Sequence, residues 1–179
     1  MKPSSFSKKD FHKVALTSAI ALGGFAASYS FAAPVSDTAT TAATVVAPIA
    51  IAQAQDMEFG EFAAGDGGTV TLTTAGVLTP GGDVVVTGTT PTTAAQFTVT
   101  GVADATFSIG ITDDDLSSGA NTMALATVHD LDASSQDSPA TGTLTGGTQT
   151  IYVGGTLTVA ADQAPGAYTG TVTATVEYN

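Results

Sequence analysis

Apolar and polar residues alternate most regularly between Gly166 and Asn179. A period of two is typical of a strand with one face buried and the other in solvent. The pattern predicts a strand over this whole stretch, preceded by a turn at Pro165–Gly166. Such a strand needs partners along both edges, because an unpaired edge is a template for further pairing. The residues predicted to share its inner face include Tyr168, Val172, Val176 and Tyr178.

Short alternating segments separated by Gly-rich turns fill the chain from Ala64 onwards. Thr and Val dominate these segments and favour strands, and no stretch there keeps a helical period of 3.6 residues. This spacing predicts a single antiparallel β-sandwich. The predicted strands are Thr69–Leu72, Asp83–Thr87, Gln96–Gly101, Thr106–Ile111, Thr122–Thr127, Gly142–Leu144, Thr150–Ala160 and the C-terminal strand. The predicted turns include Gly65–Gly68, Pro80–Gly82, Asp113–Asp115 and Gly146–Gly147.

An earlier extended run, Ile49–Phe62, follows Pro48, which is tolerated at the start of a strand. Its larger apolar residues fall mostly on one parity, so one side of this run is predicted to face the same core. The predicted core consists of Ile49, Ile51, Phe59, Val70, Leu72, Val84, Val86, Phe97, Val99, Phe107, Ile109, Ile111, Met123, Leu125, Ile151, Val153, Leu157, Val159, Tyr168, Val172 and Val176.

Residues 1–32 have the layout of a secretory signal peptide, with an apolar run at Val14–Phe31 and small residues before a cleavage point after Ala32. A membrane anchor is the alternative, but Gly, Ser and Thr dilute the run, so we expect no membrane span after its removal. We therefore expect a secreted chain with an N-terminal extension, residues 33–47, and one sandwich domain, residues 48–179. The basic start of the signal consists of Lys2, Lys8, Lys9 and Lys13.

The extension contains a Thr- and Ala-rich stretch, Val35–Ala47, whose alternation is weak because its side chains are small. Two interpretations follow from the pattern alone: an extended strand, or a disordered N-terminal segment. The side chains on one parity of this stretch include Ala39, Thr41, Ala43 and Val45.

The charges are distributed unevenly. All four Lys lie within the first 13 residues, Arg is absent, and only Asp10 of the 16 acidic residues belongs to the predicted signal peptide. The secreted part would thus carry 15 acidic residues and no Lys or Arg. This excludes nucleic-acid binding and a basic patch for anionic lipid. The absence of Cys excludes disulfides, thiol catalysis and thiolate metal sites.

No residue constellation typical of an enzyme occurs, so we expect neither catalytic residues nor a cofactor. The sequence contains no G-x-S-x-G motif that could supply a nucleophile to His129, and no further His or Cys ligands that could complete a zinc site with it. We therefore predict that His129 lies in a solvated loop. Asp113, Asp114 and Asp115 are a weak candidate for Ca²⁺, because carboxylates in a loop can ligate this ion. Their consecutive spacing is not that of a typical Ca²⁺ loop, and an exposed turn is the other interpretation.

Three stretches together resemble a known family: Thr38–Phe62, Ala94–Ile109 and Thr156–Asn179. They are similar to the DUF4402 domain of secreted bacterial proteins. More distantly, the layout resembles subunits of chaperone–usher pili, especially the spore-coat-U-like subunits of the archaic class. In those subunits an alternating N-terminal segment precedes a phrase like Asp56–Gly60, and the last strand carries a penultimate Tyr, here Tyr178. The Cys that such subunits carry near the first core strand is missing.

The pilus resemblance implies a mode of assembly. Such subunits are immunoglobulin-like sandwiches that lack one strand, and the N-terminal extension of the next subunit fills the gap by strand donation. The resemblance implies a homo-polymer, helped by a periplasmic chaperone and an outer-membrane usher, at the surface or in an extracellular fibre of a Gram-negative bacterium. The donor segment would be Thr38–Val46, with Ala39, Thr41, Ala43 and Val45 as donor residues. The acceptor strand would present Tyr168, Val172, Val176 and Tyr178.

Two alternatives to this structural subunit of a fimbria or surface coat stay open. The small donor residues would fill pockets poorly, so the chain could instead keep its own first strand, Ala43–Ile51, in its own sheet. The protein could also be a self-contained sandwich that binds carbohydrate or adheres to a surface through Ca²⁺. Both alternatives make the N-terminal segment part of a monomer rather than a link to another copy.

Overall fold

The computed structural model describes residues 33–131 and 140–179. The predicted signal peptide lies outside the described residues. The chain divides into two units, one ending at Ala42 and the other spanning Ala43–Asn179. In the first unit, residues 33–42 carry no regular secondary structure. Among the residues described, no helix is long and apolar enough to cross a membrane.

In its described residues, the second unit is built from strands, with one 3₁₀ turn at Thr145–Gly147. Thr is the most frequent residue of the strands and Val is among the next, and the branching of both at Cβ suits a pleated backbone. The strands in the described residues are β1 (Ala50–Gln55), β2 (Phe62–Ala63), β3 (Gly68–Leu72), β4 (Leu78–Gly82), β5 (Val85–Val86), β6 (Ala95–Thr100), β7 (Thr106–Asp113), β8 (Leu116–Ser118), β9 (Asn121–His129), β10 (Ala140–Thr143), β11 (Thr148–Val159) and β12 (Val172–Tyr178).

All strand pairs are antiparallel. The large sheet has the order β1-β6-β11-β3-β4, and β9 also pairs with β11 and carries β8. The small sheet has the order β10-β7-β12, and β2 and β5 form a separate pair. β11 is long enough to pair with β6 along Thr148–Val153 and with β3 along Gly155–Val159. The predicted all-β antiparallel sandwich is confirmed.

Two clusters of buried side chains form the core. The first joins the inner faces of β6 and β11 to those of β7 and β10, with Phe97, Phe107 and Ile151 among its members. The second lies under β3, β9 and the later half of β11, and includes Phe59 and Leu72. Most predicted core residues are buried in one of them. The buried apolar residues that the sequence reasoning missed are Ala94, Ala95, Ala140 and Leu144.

Several predicted boundaries were wrong around the third and fourth strands. The predicted turn at Pro80–Gly82 is part of β4, which pairs with β3 through Val70 and Pro80. Proline is tolerated there because β4 lies at the edge of its sheet. The predicted strand Asp83–Thr87 shortens to the two residues of β5, and Val86, predicted to be core, is 39% exposed.

The two terminal strands are also shorter than predicted. β12 begins only at Val172, because the residues before it leave the small sheet. Thr169 makes an isolated bridge to Ser117, and Tyr168 packs against the second core cluster. At the other end, the alternative prediction was a first strand over Ala43–Ile51. β1 starts only at Ala50, so Ala43–Ile49 precede the strand.

Candidate functional site

β12 is paired along one edge only. It pairs with β7 from Val172 opposite Asp113 to Tyr178 opposite Phe107. Within residues 33–131 and 140–179, no strand pairs with its other edge. The inner side chains of β12 pack against the first core cluster but stay only half-buried, whereas those of its neighbour β7 are buried. An unpaired edge and an incompletely covered apolar face therefore occur on the same strand.

β1 faces β12 across a groove between the two sheets. β1 is the edge strand of the large sheet and pairs only with β6. Ile49 and Ile51 lie half-buried against the same cluster as the inner face of β12. The groove is thus bounded by two strand edges, each belonging to a different sheet.

One end of the groove is closed by Tyr178. Its hydroxyl accepts a hydrogen bond from the backbone N–H of Val102 at 2.7 Å and donates one to the carbonyl of Ala47 at 3.1 Å. The ring fits because residue 101 is glycine: a Cβ there would lie 2.2 Å from the Tyr178 hydroxyl oxygen. Tyr178 thereby holds the segment just before β1 beside the last residues of β12.

The other end of the groove is open and has a cavity volume of about 380 Å³. Its charged rim is acidic, with exposed carboxylates at Asp56 and Glu58. Among the residues that the structure describes there is no Lys or Arg to balance them. The apolar side chains that line this end include Met57, Phe97, Leu116, Leu125, Tyr168 and Val172.

The structure places three of the four predicted acceptor residues together. Val172, Val176 and Tyr178 project from one face of β12 towards the first core cluster. Tyr168 precedes the strand and lines the open end of the groove, where its hydroxyl donates a hydrogen bond to the carbonyl of Ala164 at 2.8 Å. Sequence reasoning missed Met57 as a lining residue, although it shares the parity of the apolar residues in the early run.

The four predicted donor residues are all exposed in the structure. Ala43 and Val45 lie in the sandwich unit ahead of β1, and Val45 is 95% exposed. Ala39 and Thr41 belong to the other unit and are also exposed. None of the four lies in a strand of the described chain.

The three consecutive aspartates do not converge on one point. Asp113 accepts a hydrogen bond from the Thr127 hydroxyl at 3.2 Å, and Asp115 accepts one from the backbone N–H of Leu125 at 3.4 Å. Asp114 accepts one from the hydroxyl of Thr171. Each carboxylate thus fastens the β7–β8 link to a different neighbour. In the part of the chain that the structure describes, no group of three acidic or His side chains could hold a metal ion.

The prediction of a solvated loop for His129 was wrong. His129 is the last residue of β9 and is only 3% exposed. It lies opposite Val153 of β11, and the alternation of β9 turns it inwards together with Thr127. The strand continues two residues beyond the predicted Thr122–Thr127, which is why a polar stretch contains a buried imidazole.

Comparison with known proteins identifies a family. No match is found among curated proteins or among solved structures. A family model described as a domain of unknown function, DUF4402, matches residues 49–178, which include every strand of the sandwich. The chain therefore belongs to the DUF4402 family.

Proposed function

We propose that this protein is a secreted structural subunit that links to further copies by strand addition at β12. The observation that carries the proposal is the unpaired edge of β12 beside a half-buried apolar face. Native proteins normally cover or blunt such an edge. An added strand would supply main-chain hydrogen bonds to the edge and side chains to the groove, as in other complexes formed by β-augmentation.

The best candidate for the added strand is Thr38–Val46 of another copy. This segment has no charged residue, so the acidic rim of the groove does not repel it. It is exposed and lies in no strand of the described chain.

Strand addition of this kind would produce a fibre. The donor and acceptor surfaces differ, so the contact is heterologous and each added copy exposes a new acceptor. Until it is filled, the open edge favours wrong pairing, and this is the physical reason to propose a periplasmic chaperone and an outer-membrane usher as partners. The proposal places the protein in the periplasm during transit and then at the cell surface or in an extracellular fibre.

Removal of the extension tests the proposal directly. Residues 33–179 and residues 47–179 would be compared by size-exclusion chromatography and negative-stain microscopy. We expect ladders or fibres from the longer chain and only monomer from the shorter one. A peptide of residues 38–46 should raise the melting temperature of the shorter chain, because it fills the groove. Identical monomers from both chains would refute strand donation.

A matched pair of substitutions tests whether it matters which face of the donor segment carries a charge. Val45→Asp places a carboxylate on the parity predicted to enter the groove, whereas Val46→Asp places the same group on the opposite parity. We expect Val45→Asp to abolish the ladders and Val46→Asp to preserve them, because a buried unpaired charge is costly. Equal loss in both variants would contradict the proposed register.

The alternative of a strand kept within one molecule predicts different behaviour. Pairing in the same molecule is independent of concentration, whereas pairing between copies follows mass action. We expect the melting temperature of residues 33–179 to rise with protein concentration. A constant melting temperature together with a monomeric elution volume would favour the internal strand.

A further inference from the structure

Tyr152 on β11 exposes its ring on the outer face of the large sheet. It is 41% exposed, while its neighbours Ile151 and Val153 are fully buried on the inner face. The ring therefore lies on the side of the sheet away from the groove. We infer that this outer face binds a neutral oligosaccharide, with the ring of Tyr152 as its platform.

Polar side chains from two other strands, and from Asp130 just after β9, lie in a row with Tyr152. Gln96 of β6 is directly opposite Tyr152 and donates a hydrogen bond from its Nε2 to the hydroxyl oxygen at 3.3 Å. Gln55 of β1 is opposite Gln96, because a bulge after Gln53 turns it to the outer face. The row thus runs from β1 across β6 to β11.

Asp130 completes the row on the other side of β11. Its backbone N–H donates to the carbonyl of Tyr152 at 3.1 Å, and its Oδ1 accepts from the backbone N–H of Tyr152 at 3.1 Å. These two bonds fix the carboxylate beside the aromatic residue. The outer face consequently presents two amides, a phenol and a carboxylate side by side.

A depression of about 430 Å³ is lined by three members of this row, Gln55, Tyr152 and Asp130, and Gln96 adjoins it through its hydrogen bond to Tyr152. One wall is the β3–β4 turn at Thr74–Gly76, and another is the segment that leads into β6. The two walls are tied together, since the hydroxyl of Thr92 donates to the carbonyl of Gly76 at 2.9 Å. Its volume falls within the usual range for small-ligand sites, roughly 300–1,000 Å³.

The chemistry of the row suits a sugar. An aromatic face packs against the apolar C–H surface of a pyranose ring, and the phenol provides a polar tip. Sugar hydroxyls both donate and accept, which matches the amides of Gln55 and Gln96 and the carboxylate of Asp130. The hydroxyl of Tyr152 accepts from Gln96, so its own proton remains for a ligand oxygen.

The negative charge at this site favours a neutral sugar over an acidic one. Asp130 lies at the site, and the chain contains no Lys or Arg beyond residue 13. A sugar acid or phosphate would therefore meet repulsion with no compensating cation. Because the site lies on the face opposite the groove, a subunit joined to its neighbours by strand addition would still display it.

Saturation-transfer NMR on residues 33–179 tests this inference. The probes are neutral gluco-, manno-, galacto- and xylo-oligosaccharides, with oligogalacturonate as the acidic counterpart. We expect saturable binding of at least one neutral probe and none of oligogalacturonate. Tyr152→Ala should weaken that binding by about tenfold or more. Tyr152→Phe, which keeps the ring, should weaken it by about three- to tenfold.

The control is Val85→Ala, which removes an exposed apolar side chain from β5, where Val85 is 59% exposed. We expect it to bind like the unmodified chain. The inference is overturned if no neutral probe binds, if Tyr152→Ala binds as well as the unmodified chain, or if oligogalacturonate binds equally. Tyr152→Ala should leave fibre formation unchanged, which separates this test from that of strand addition.

Discussion

Gly154 allows β11 to pass directly beside the end of β3. A Cβ at this position would meet the carbonyl oxygen of Leu72 at 2.3 Å and the carbonyl carbon of Thr73 at 2.7 Å. Backbone atoms cannot swing aside as a flexible side chain can, so Gly154→Ala must displace one of the two strands. We expect it to lower the free energy of unfolding by about 1–3 kcal/mol, measured by urea denaturation of the monomer.

Gly110 of β7 is the matched control for this substitution. A Cβ there would have no neighbour within 4 Å. Gly110→Ala should change the free energy of unfolding by at most about 0.5 kcal/mol, or raise it slightly by restricting the unfolded chain. Equal losses at both positions would show that close packing of β11 against β3 is not the cause.

The hydroxyl of Tyr178 fastens the segment before β1 to the loop after β6. Tyr178→Phe keeps the ring but leaves the N–H of Val102 and the carbonyl of Ala47 without this partner. We expect a loss of about 1–2 kcal/mol in the free energy of unfolding. Tyr152→Phe removes a hydroxyl whose bond to the half-buried Gln96 is 3.3 Å long, and it should cost less than about 0.5 kcal/mol. A loss in Tyr152→Phe as large as in Tyr178→Phe would contradict this account.

At the scale of elements, alternation predicted which residues face the core but not which strands pair. Phe107 and Ile109 were assigned correctly because a strand fixes facing locally. β4 was read as a turn, since Pro and Gly signal one, and only its place at a sheet edge explains it. The residues of the groove divide in the same way. Those of β12, and Met57 by its parity, follow from alternation, whereas Leu116 enters through long-range packing that no local pattern encodes.

The open edge of β12 predicts an uneven pattern of hydrogen exchange. Every second residue of a strand turns its backbone groups towards a given edge. Amides of β12 that face β7 should exchange slowly and those that face the groove quickly, whereas Gly155–Thr158 of β11, paired on both edges, should all be slow. NMR of the chain from residue 47 measures this. Uniformly slow exchange along β12 would show that its outer edge is covered.

The hydrogen bonds of the β7–β8 link predict that Ca²⁺ does not specifically stabilise the protein. Asp113, Asp114 and Asp115 each accept a hydrogen bond from a different partner, so bringing all three onto one ion would require these bonds to break. We expect the melting temperature to respond equally to CaCl₂ and MgCl₂ at matched ionic strength, through screening alone. A saturable rise with Ca²⁺ only, abolished by Asp114→Asn, would revive the Ca²⁺ hypothesis.

At the scale of the whole molecule, charge opposes the proposed assembly. Residues 33–179 contain 15 acidic residues and no Lys or Arg, so two copies repel each other at every orientation. The contact itself joins an uncharged segment to an apolar groove, and nothing in it depends on ion pairs. The repulsion therefore slows the approach of two copies and persists between joined subunits, while the contact itself is made without ion pairs.

Salt should therefore accelerate assembly. Raising NaCl from about 10 mM to about 150 mM shortens the Debye length from about 30 Å to about 8 Å. We expect the association rate of residues 33–179, followed by light scattering after dilution from denaturant, to rise by about tenfold or more. Refolding of residues 47–179, followed by Tyr fluorescence, serves as the control for salt effects on folding itself. An association rate that falls with salt would mean that attraction between opposite charges drives the contact, which would contradict strand addition by an uncharged donor.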